Sequence, residues 1–280
     1  MDSWRLNGNS LETAGSGLTP EDRGLAYGDG LFETIAIRNG RLRFIERHLA
    51  RLRDGSERLG IALPDYVSDE LQAAAQDTEH GTLKLILTRG TGERGYNPAG
   101  ATTPNLYVGV SAAISVSPAP EASGITATVC KTTVSVNPLL AGLKTLNRLE
   151  QVMARAEWSD AGVREGLMLD TNGHVISGTM SNVFAVIDNQ LCTPDLQSAG
   201  IAGVMRSVIL DAAGIDASVR NIPLAEFLTA SEAFFSNSLI GLWPVVSLQH
   251  NGTQLALTPG PYTDAVRTAL VSLGVEECSR

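Results

Sequence analysis

The stretch GLFETIAIRNGRLRFIERHLARL covers residues 30–52 and decides the fold class. Asn39-Gly40 stands between two runs rich in apolar residues, which is the pattern of a β-hairpin with a tight turn. Apolar residues then recur at the spacing of one helix face: Ile45, Leu49, Leu52 and Leu59. A hairpin that leads directly into a helix favours an α+β fold over a simple parallel doubly wound sheet.

The remainder of the chain repeats this mixed pattern. Hairpins are predicted at Asn7-Gly8 and Asn172-Gly173, and strands at GTLKLILTRG (residues 81–90) and NLYVGVSAAISV (residues 105–116). The sequence SPAPEASG is typical of a linker. We therefore expect an N-terminal α/β domain over residues 1–116, a linker over residues 117–124, and a C-terminal α/β domain over residues 125–280 that carries Lys144.

Composition excludes several classes of function. With 43% hydrophobic and 18% charged residues, the 280-residue chain suits a globular protein, and its net charge of −9 disfavours binding to nucleic acid or to an anionic membrane. No apolar run reaches the length of a membrane span, and the N-terminus lacks the pattern of a signal peptide. Three scattered cysteines predict free thiols in a reducing cytoplasm, and four dispersed histidines predict no metal site.

Lys144 is the first candidate for chemistry. The chain has 21 basic residues but only three lysines, Lys84, Lys131 and Lys144. Lys144 lies between leucines at the start of a predicted helix whose apolar face comprises Leu146, Leu149, Met153 and Ala156. An amine is a nucleophile only when neutral, and apolar surroundings disfavour its charged form, so Lys144 is a candidate to form a Schiff base. The alternative is a lysine whose stem packs while its ammonium reaches water.

Glycine-bearing stretches supply the next candidates. In AGIAGVMRSVIL, backbone amides near Gly203, Val204 and Met205 stand at a predicted helix start, which attracts anions. SGTMSNVF and FFSNS add hydroxyl and amide groups near strand ends, and the alternative for each of these segments, taken singly, is ordinary turn chemistry.

Arginine residues flank glycines in LTRGTGERGYNP. The guanidinium groups of Arg89 and Arg94 could bind a substrate carboxylate with two parallel hydrogen bonds, and the alternative is a solvated loop. The segment DRGLAYGDGLFET has two glycines around Asp29 and by itself indicates only a tight turn before a strand.

Seven segments occur in an order that resembles a known family. They are DRGLAYGDGLFET, ERHLARL, LTRGTGERGY, AGLKTLNRLEQ, SGTMSNVF, AGVMR and NSLIGLWPV. From about Arg23 to Val246 the chain is similar to the fold-type IV pyridoxal-phosphate enzymes, which include branched-chain aminotransferases, D-amino-acid aminotransferases and aminodeoxychorismate lyases. RGYNP and NPLLAGLKTLNRLEQ most resemble the lyases, which release 4-aminobenzoate and pyruvate from 4-amino-4-deoxychorismate in folate biosynthesis.

The resemblance implies roles for individual residues. Lys144 matches the lysine that holds pyridoxal 5'-phosphate covalently, and Arg51 matches an arginine that meets the cofactor phosphate. The backbone amides of Val204 and Met205 and the hydroxyl of Ser238 match the rest of the phosphate site. The resemblance also implies a two-domain D-amino-acid aminotransferase-like architecture with the cofactor between the domains, and a homodimer whose neighbouring subunit closes the site around a small-molecule substrate.

The family resemblance implies roles for three further residues, and at a fourth position this chain differs from most of the family. Glu165 matches a residue near the lysine and the cofactor's phenolic oxygen, and Arg94 and Tyr96 match positions that bind a substrate carboxylate. Ser177 stands where most members of the family have a glutamate that pairs with the pyridine nitrogen. A carboxylate there keeps the ring a strong electron sink, which transamination needs. Ser177 therefore favours a lyase, driven by an aromatic product, over an efficient aminotransferase.

Overall fold

The computed structural model describes residues 3–11, 19–112 and 123–279. The chain divides into two compact units, the first comprising residues 1–115 and 143–147 and the second comprising residues 116–142 and 148–280. Most of the predicted linker lies outside the described residues. The segment 143–147 groups with the first unit, whereas the sequence-based division assigns it to the C-terminal domain. The physical reason is pairing with a strand, because the amide of Phe32 donates to Lys144 O (3.0 Å) and that of Leu146 donates to Gly30 O (3.0 Å).

The described part of the first unit contains one antiparallel sheet in the order β2-β1-β6-β5-β3-β4. Its strands are β1 (Ser3–Leu6), β2 (Asn9–Ser10), β3 (Gly30–Arg38), β4 (Arg41–Leu42), β5 (Gly81–Thr88) and β6 (Asn105–Ala112). Its helices are α1 (Arg23–Tyr27), α2 (Ile45–Leu59) and α3 (Val67–Ala75).

The hairpin and helix predicted from residues 30–52 are confirmed. Asn39 and Gly40 both have positive φ (52° and 69°), as the tight turn between β3 and β4 requires. Leu49 and Leu52 of α2 are each 2% exposed and belong to the core formed with the sheet. The opposite face of α2 carries arginines and acidic residues, so the helix is amphipathic and packs by one side.

The described part of the second unit contains a mixed sheet in the order β12-β11-β10-β13-β14-β7-β8-β9, with β15 paired to β14. Its strands are β7 (Ile125–Val129), β8 (Val163–Leu169), β9 (Val175–Gly178), β10 (Asn182–Ile187), β11 (Gln190–Pro194), β12 (Ala217–Arg220), β13 (Glu232–Asn237), β14 (Gly241–His250) and β15 (Thr253–Ala256). Its helices are α4 (Leu149–Arg155), α5 (Val204–Leu210), α6 (Leu224–Phe227) and α7 (Pro261–Ser272). Antiparallel hairpins next to a few parallel pairs confirm the α+β class.

The predicted apolar face of the helix after Lys144 is not buried in the chain. Helix α4 begins only at Leu149, so Leu146 precedes it, and Leu149 and Met153 are 70% and 55% exposed. The buried residue of this short helix is Ala154, which packs into a small core with Trp158. The apolar spacing predicted from the sequence is therefore present on one face of α4, but within a single chain this face is exposed to solvent.

Among the described residues, no helix combines the length and apolar character needed to cross a membrane.

Candidate active site

Lys144 is positioned by strand β3. The segment 143–147 runs beside the start of β3, with a β-bridge between Leu31 and Thr145. Side chains alternate along an extended segment, and here Leu143 (1% exposed) and Thr145 (3% exposed) point into the unit. Lys144 therefore projects to the other side, where it is half-buried and its Nζ lies 4.1 Å from the centroid of the Phe32 ring. Hydrogen bonds to β3 fix the backbone of this segment, while the half-buried side chain of Lys144 stays partly accessible.

Arg51 lies in the same unit and forms a buried network with two residues that sequence reasoning missed. Its Nε donates to Glu33 Oε1 (2.8 Å) and one Nη donates to Glu33 Oε2 (2.6 Å). The Nδ1 atom of His48 lies 2.6 Å from Glu33 Oε2. A side-on pair of this kind fixes the plane of the guanidinium group.

The charges of this network are set by burial and by its members. Burial acts to raise the pKa of Glu33, but Arg51 and His48 outweigh it and bring the pKa to about 2. Burial lowers the pKa of His48 below its ordinary value, aided by the positive charges of Arg51 and Lys144. His48 is therefore neutral at pH 7, donates Nδ1–H to Glu33, and keeps a buried Nε2 that has no hydrogen-bond partner among the described residues.

The predicted amide site stands at the start of α5 in the second unit. Gly203 caps the helix in an extended conformation without a side-chain cap, and Val204 and Met205 follow as its first residues. Amides at this position have no carbonyl within the helix to which they can donate. Gly203 is required here, because an added Cβ would lie 1.9 Å from Asn182 Oδ1.

The structure brings this helix start together with other candidate segments of the second unit. Asn182 Nδ2 donates to Ile201 O (2.9 Å), which ties the loop before α5 to strand β10. Asn237 Nδ2 donates to Met180 O (3.1 Å), so the turn that contains Ser238 is attached to the turn after Ser177. Polar groups that are far apart in sequence thus lie in one connected region.

Glu165 is fully buried and is engaged by the turn at residues 178–181. Its Oε1 accepts hydrogen bonds from the amides of Gly166 and Thr179 (2.9 Å each), and its Oε2 accepts one from Ser181 Oγ (2.7 Å). Both oxygens of the carboxylate are bonded by the chain itself. The predicted contact with the phenolic oxygen of a cofactor therefore stays a prediction without support from this geometry.

Ser177 lies on β9 immediately before that turn and is 8% exposed. Its hydroxyl donates to Gly178 O (2.8 Å), so its lone pairs can still accept a hydrogen bond. A hydroxyl is a much weaker partner for a protonated ring nitrogen than a carboxylate is.

Arg94 and Tyr96 stand on an exposed loop of the first unit. Tyr96 is 84% exposed, and its ring meets that of Tyr27 edge to face, with 5.3 Å between the centroids. Arg89, the other arginine considered from the sequence, is 8% exposed and bonds Asp29 and the carbonyls that end α2. The guanidinium group of Arg89 is therefore engaged within the first unit, and Arg94 stays the candidate for binding a substrate carboxylate.

The residues fit the needs of pyridoxal 5'-phosphate with one exception. The first unit carries a half-buried amine at Lys144, and the second unit places the amides of Val204 and Met205 at the start of α5. Ser177 is the exception, because this chain has a hydroxyl at the position where the family resemblance implies a carboxylate, and both carboxylate oxygens of Glu165 already accept hydrogen bonds from the chain. A lysine amine can react with a bound aldehyde, and a hydroxyl in place of a carboxylate would weaken electron withdrawal by a cofactor ring.

Comparison with known proteins gives a consistent family. The family model described as amino-transferase class IV matches residues 30–248. The chain is 36% identical over 229 residues to an aminodeoxychorismate lyase of Vibrio harveyi, across 80% of this chain and 84% of that protein. It is 30% identical over 254 residues to a putative branched-chain-amino-acid aminotransferase of Methanocaldococcus jannaschii, across 87% of this chain and 86% of that protein.

A solved structure extends the likeness to three dimensions. The crystal structure of 4-amino-4-deoxychorismate lyase from Pseudomonas aeruginosa is similar with a TM-score of 0.87 and 43% sequence identity, and the match covers 97% of this chain and 98% of that one. The matched family segment includes Lys144, Arg51 and Ser177. On its sequence, its fold and these residues, the chain belongs to the amino-transferase class IV family.

Proposed function

We propose that this protein is an aminodeoxychorismate lyase that converts 4-amino-4-deoxychorismate to 4-aminobenzoate and pyruvate with pyridoxal 5'-phosphate. Lyase relatives in sequence and in structure support this activity. The observation that carries it over transamination is Ser177, because a weak partner at the ring nitrogen suits a reaction driven by an aromatic product.

The bound cofactor supplies an electrophilic aldehyde carbon and a conjugated ring that withdraws electrons from the substrate's amino-bearing carbon. Lys144 would hold the cofactor through its Nζ. When it is not bound to the cofactor, the same Nζ would take the proton from C4 of the substrate and would give it to the enolpyruvyl group, which leaves as the carbon–oxygen bond breaks. The Phe32 ring, whose centroid lies 4.1 Å from Nζ, supports this role because it places a flat surface beside the amine.

The phosphate group is held, in this proposal, by Arg51, by the amides of Val204 and Met205, and by Ser238. The side-on pair with Glu33 supports the role of Arg51, because it fixes the guanidinium plane. The extended Gly203 supports the role of the two amides. Glu165 acts indirectly, by bracing the turn that follows Ser177.

The substrate carries carboxylates, and we assign their recognition to Arg94 with help from Tyr96. Both side chains are on an exposed loop, where an incoming ligand can reach them. Arginine recognises carboxylates well because its planar group presents two parallel donors.

The enzyme acts as a cytoplasmic homodimer in this proposal. The described cysteines are all free and buried, as a reducing compartment allows. Leu149, Val152 and Met153 leave an apolar face of α4 exposed (70%, 62% and 55%), and a second copy of the chain would cover such a face. The net charge of −9 gives no attraction for nucleic acid or an anionic membrane.

The second candidate is a D-amino-acid or branched-chain aminotransferase, favoured by the 30% identity to the archaeal protein. One experiment separates the two activities. Purified protein is incubated with 4-amino-4-deoxychorismate and, in parallel, with D- or branched-chain amino acids and 2-oxoglutarate. We expect 4-aminobenzoate release to exceed transamination, and the reverse ratio would replace the lyase by the aminotransferase.

A further inference from the structure

Arg23 is a buried arginine whose guanidinium group faces a single loop. The side chain is 4% exposed, so it is out of reach of a substrate. Its Nη1 donates to Gly95 O (2.9 Å) and Asn97 O (3.3 Å), and its Nη2 donates to Tyr96 O (3.0 Å). Three consecutive carbonyl groups of the glycine-rich loop therefore converge on one side chain.

Among the described residues, few other contacts stabilise residues 95–97. Tyr96 is 84% exposed and contributes almost no burial, and Gly95 adopts a positive φ of 106° that ordinary residues avoid. Tyr27 also contacts the loop, because its hydroxyl accepts from the Gly95 amide (3.2 Å) and its ring meets that of Tyr96. Because Tyr27 also lies under the Arg23 guanidinium (5.0 Å), these contacts depend on the same arginine.

The guanidinium group of Arg23 is also held by an ion pair with Asp29. Its Nε donates to Asp29 Oδ2 (2.9 Å), and Arg89 Nε donates to the same oxygen (2.8 Å). Arg89 then donates to Leu59 O and Gly60 O (2.7 Å each), at the end of α2. Asp29 thus joins two arginines with different tasks, since Arg23 reaches the loop and Arg89 reaches the helix.

From this geometry we propose that Arg23 is the positioning residue of the substrate-binding loop. It holds the backbone of residues 95–97 so that Arg94 and Tyr96 present their side chains to a carboxylate of the substrate. The inference rests on the proposed function for the identity of that ligand, and on the three carbonyl contacts for the positioning itself.

The test compares Arg23→Gln with Arg89→Gln as a matched control. Both changes remove one arginine from Asp29, but only the first frees the loop. Trypsin cleaves after Arg94, which is exposed, so the rate of cleavage at the Arg94–Gly95 bond in the native holoenzyme reports opening of the loop. We expect Arg23→Gln to raise this rate by about tenfold and Arg89→Gln by about twofold or less.

Steady-state kinetics give the functional half of the test. We expect Arg23→Gln to raise KM for aminodeoxychorismate by about tenfold with kcat nearly unchanged, because the lost interaction is one of binding. Arg94→Ala added to Arg23→Gln should raise KM little further, since both changes disable one contact. Cofactor affinity, measured by titration, should be the same in all these variants.

An unchanged cleavage rate, or faster cleavage with unchanged KM, would overturn the proposal. If Arg23→Gln does not fold, Arg23→Lys replaces it, because one ammonium keeps the pair with Asp29 but cannot reach three carbonyl groups. The same two measurements then decide. A wild-type protein without lyase activity would refute the proposed function alone, since the cleavage rates would still report on the loop.

Discussion

Lys144 and Phe32 are joined twice, through the main chain and through the side chains. The Phe32 amide donates to Lys144 O (3.0 Å), and Lys144 Nζ lies 4.1 Å from the centroid of the Phe32 ring. The strand that fixes the lysine backbone thus also provides the surface against which its amine rests. A cation over an aromatic face is stabilised by about 0.5–2 kcal/mol, which is enough to favour one rotamer of a flexible side chain.

Lys144→Ala should abolish the yellow colour of the cofactor complex and nearly all turnover, because nucleophile and base are lost together. Borohydride reduction of the wild-type holoenzyme followed by peptide mapping should place the pyridoxyl group on Lys144. Lys84→Ala is the control, since Lys84 Nζ also lies over Phe32 but at 5.9 Å. A pyridoxyl label on Lys84 or Lys131 would refute the assignment.

Arg51→Ala should weaken binding of pyridoxal 5'-phosphate by about 1.5–3 kcal/mol, the scale of a charge-assisted hydrogen bond. Titration with pyridoxal, which lacks the phosphate, is the matched measurement and should show little change. Equal losses for both ligands would mean that Arg51 does not meet the phosphate.

Acid should destabilise the first unit through Glu33. The pKa of Glu33 is lowered from 4.5 to about 2 on folding, so the unfolded chain binds more protons between these values. Its contribution, about 3 kcal/mol in order of magnitude, is complete above about pH 4.5 and is lost as the pH falls towards 2. Urea unfolding from pH 6 to pH 2 measures it. Glu33→Gln should remove this part of the pH dependence, and an unaltered profile in that variant would contradict the prediction.

Arg94→Ala should lower kcat/KM for aminodeoxychorismate, mainly through KM, and leave the cofactor absorbance intact. The physical reason is loss of a bidentate partner for a substrate carboxylate. Arg53→Ala, in the exposed part of α2, is a suitable control for removal of a surface arginine. If kcat/KM is the same in Arg94→Ala as in the wild type, another group binds the carboxylate.

Ser177→Glu should raise side transamination relative to lyase activity, because a carboxylate at this position strengthens the ring as an electron sink. Ser177→Gln is the matched control, since it adds similar bulk without charge. The quantity to compare is the ratio of the two activities in each variant. The same ratio in Ser177→Glu and Ser177→Gln would show that Ser177 does not face the ring nitrogen.

Local patterns were sufficient for much of this fold. The positive φ of Asn39 and Gly40 follows from a turn that few other residue pairs can form, and the buried face of α2 follows from the spacing of Leu49 and Leu52. Both depend on residues near one another in sequence, where backbone sterics and periodicity act directly. The family resemblance likewise proposes Lys144 as the cofactor lysine from a short surrounding motif, and this assignment stays a prediction.

Long-range contacts decided what local patterns could not. The spacing in the helix after Lys144 predicted an apolar face but not that Leu149 and Met153 would lie exposed, since periodicity does not say what covers a face. DRGLAYGDG indicated only a tight turn. The contact of the Arg23 guanidinium group with residues 95–97 could not be predicted from this segment, because it forms only in the folded chain.

The sequence by itself thus determined many of the elements and the family, because these depend on neighbouring residues and short motifs. Only the tertiary structure decided which charged groups are paired. Glu33 pairs with Arg51, which is 18 residues away in sequence, and the Arg23 guanidinium group donates to the backbone carbonyl of Tyr96, which is 73 residues away. Buried charges must find partners to offset the cost of leaving water, and the partner is whichever group the folded backbone brings within hydrogen-bonding distance.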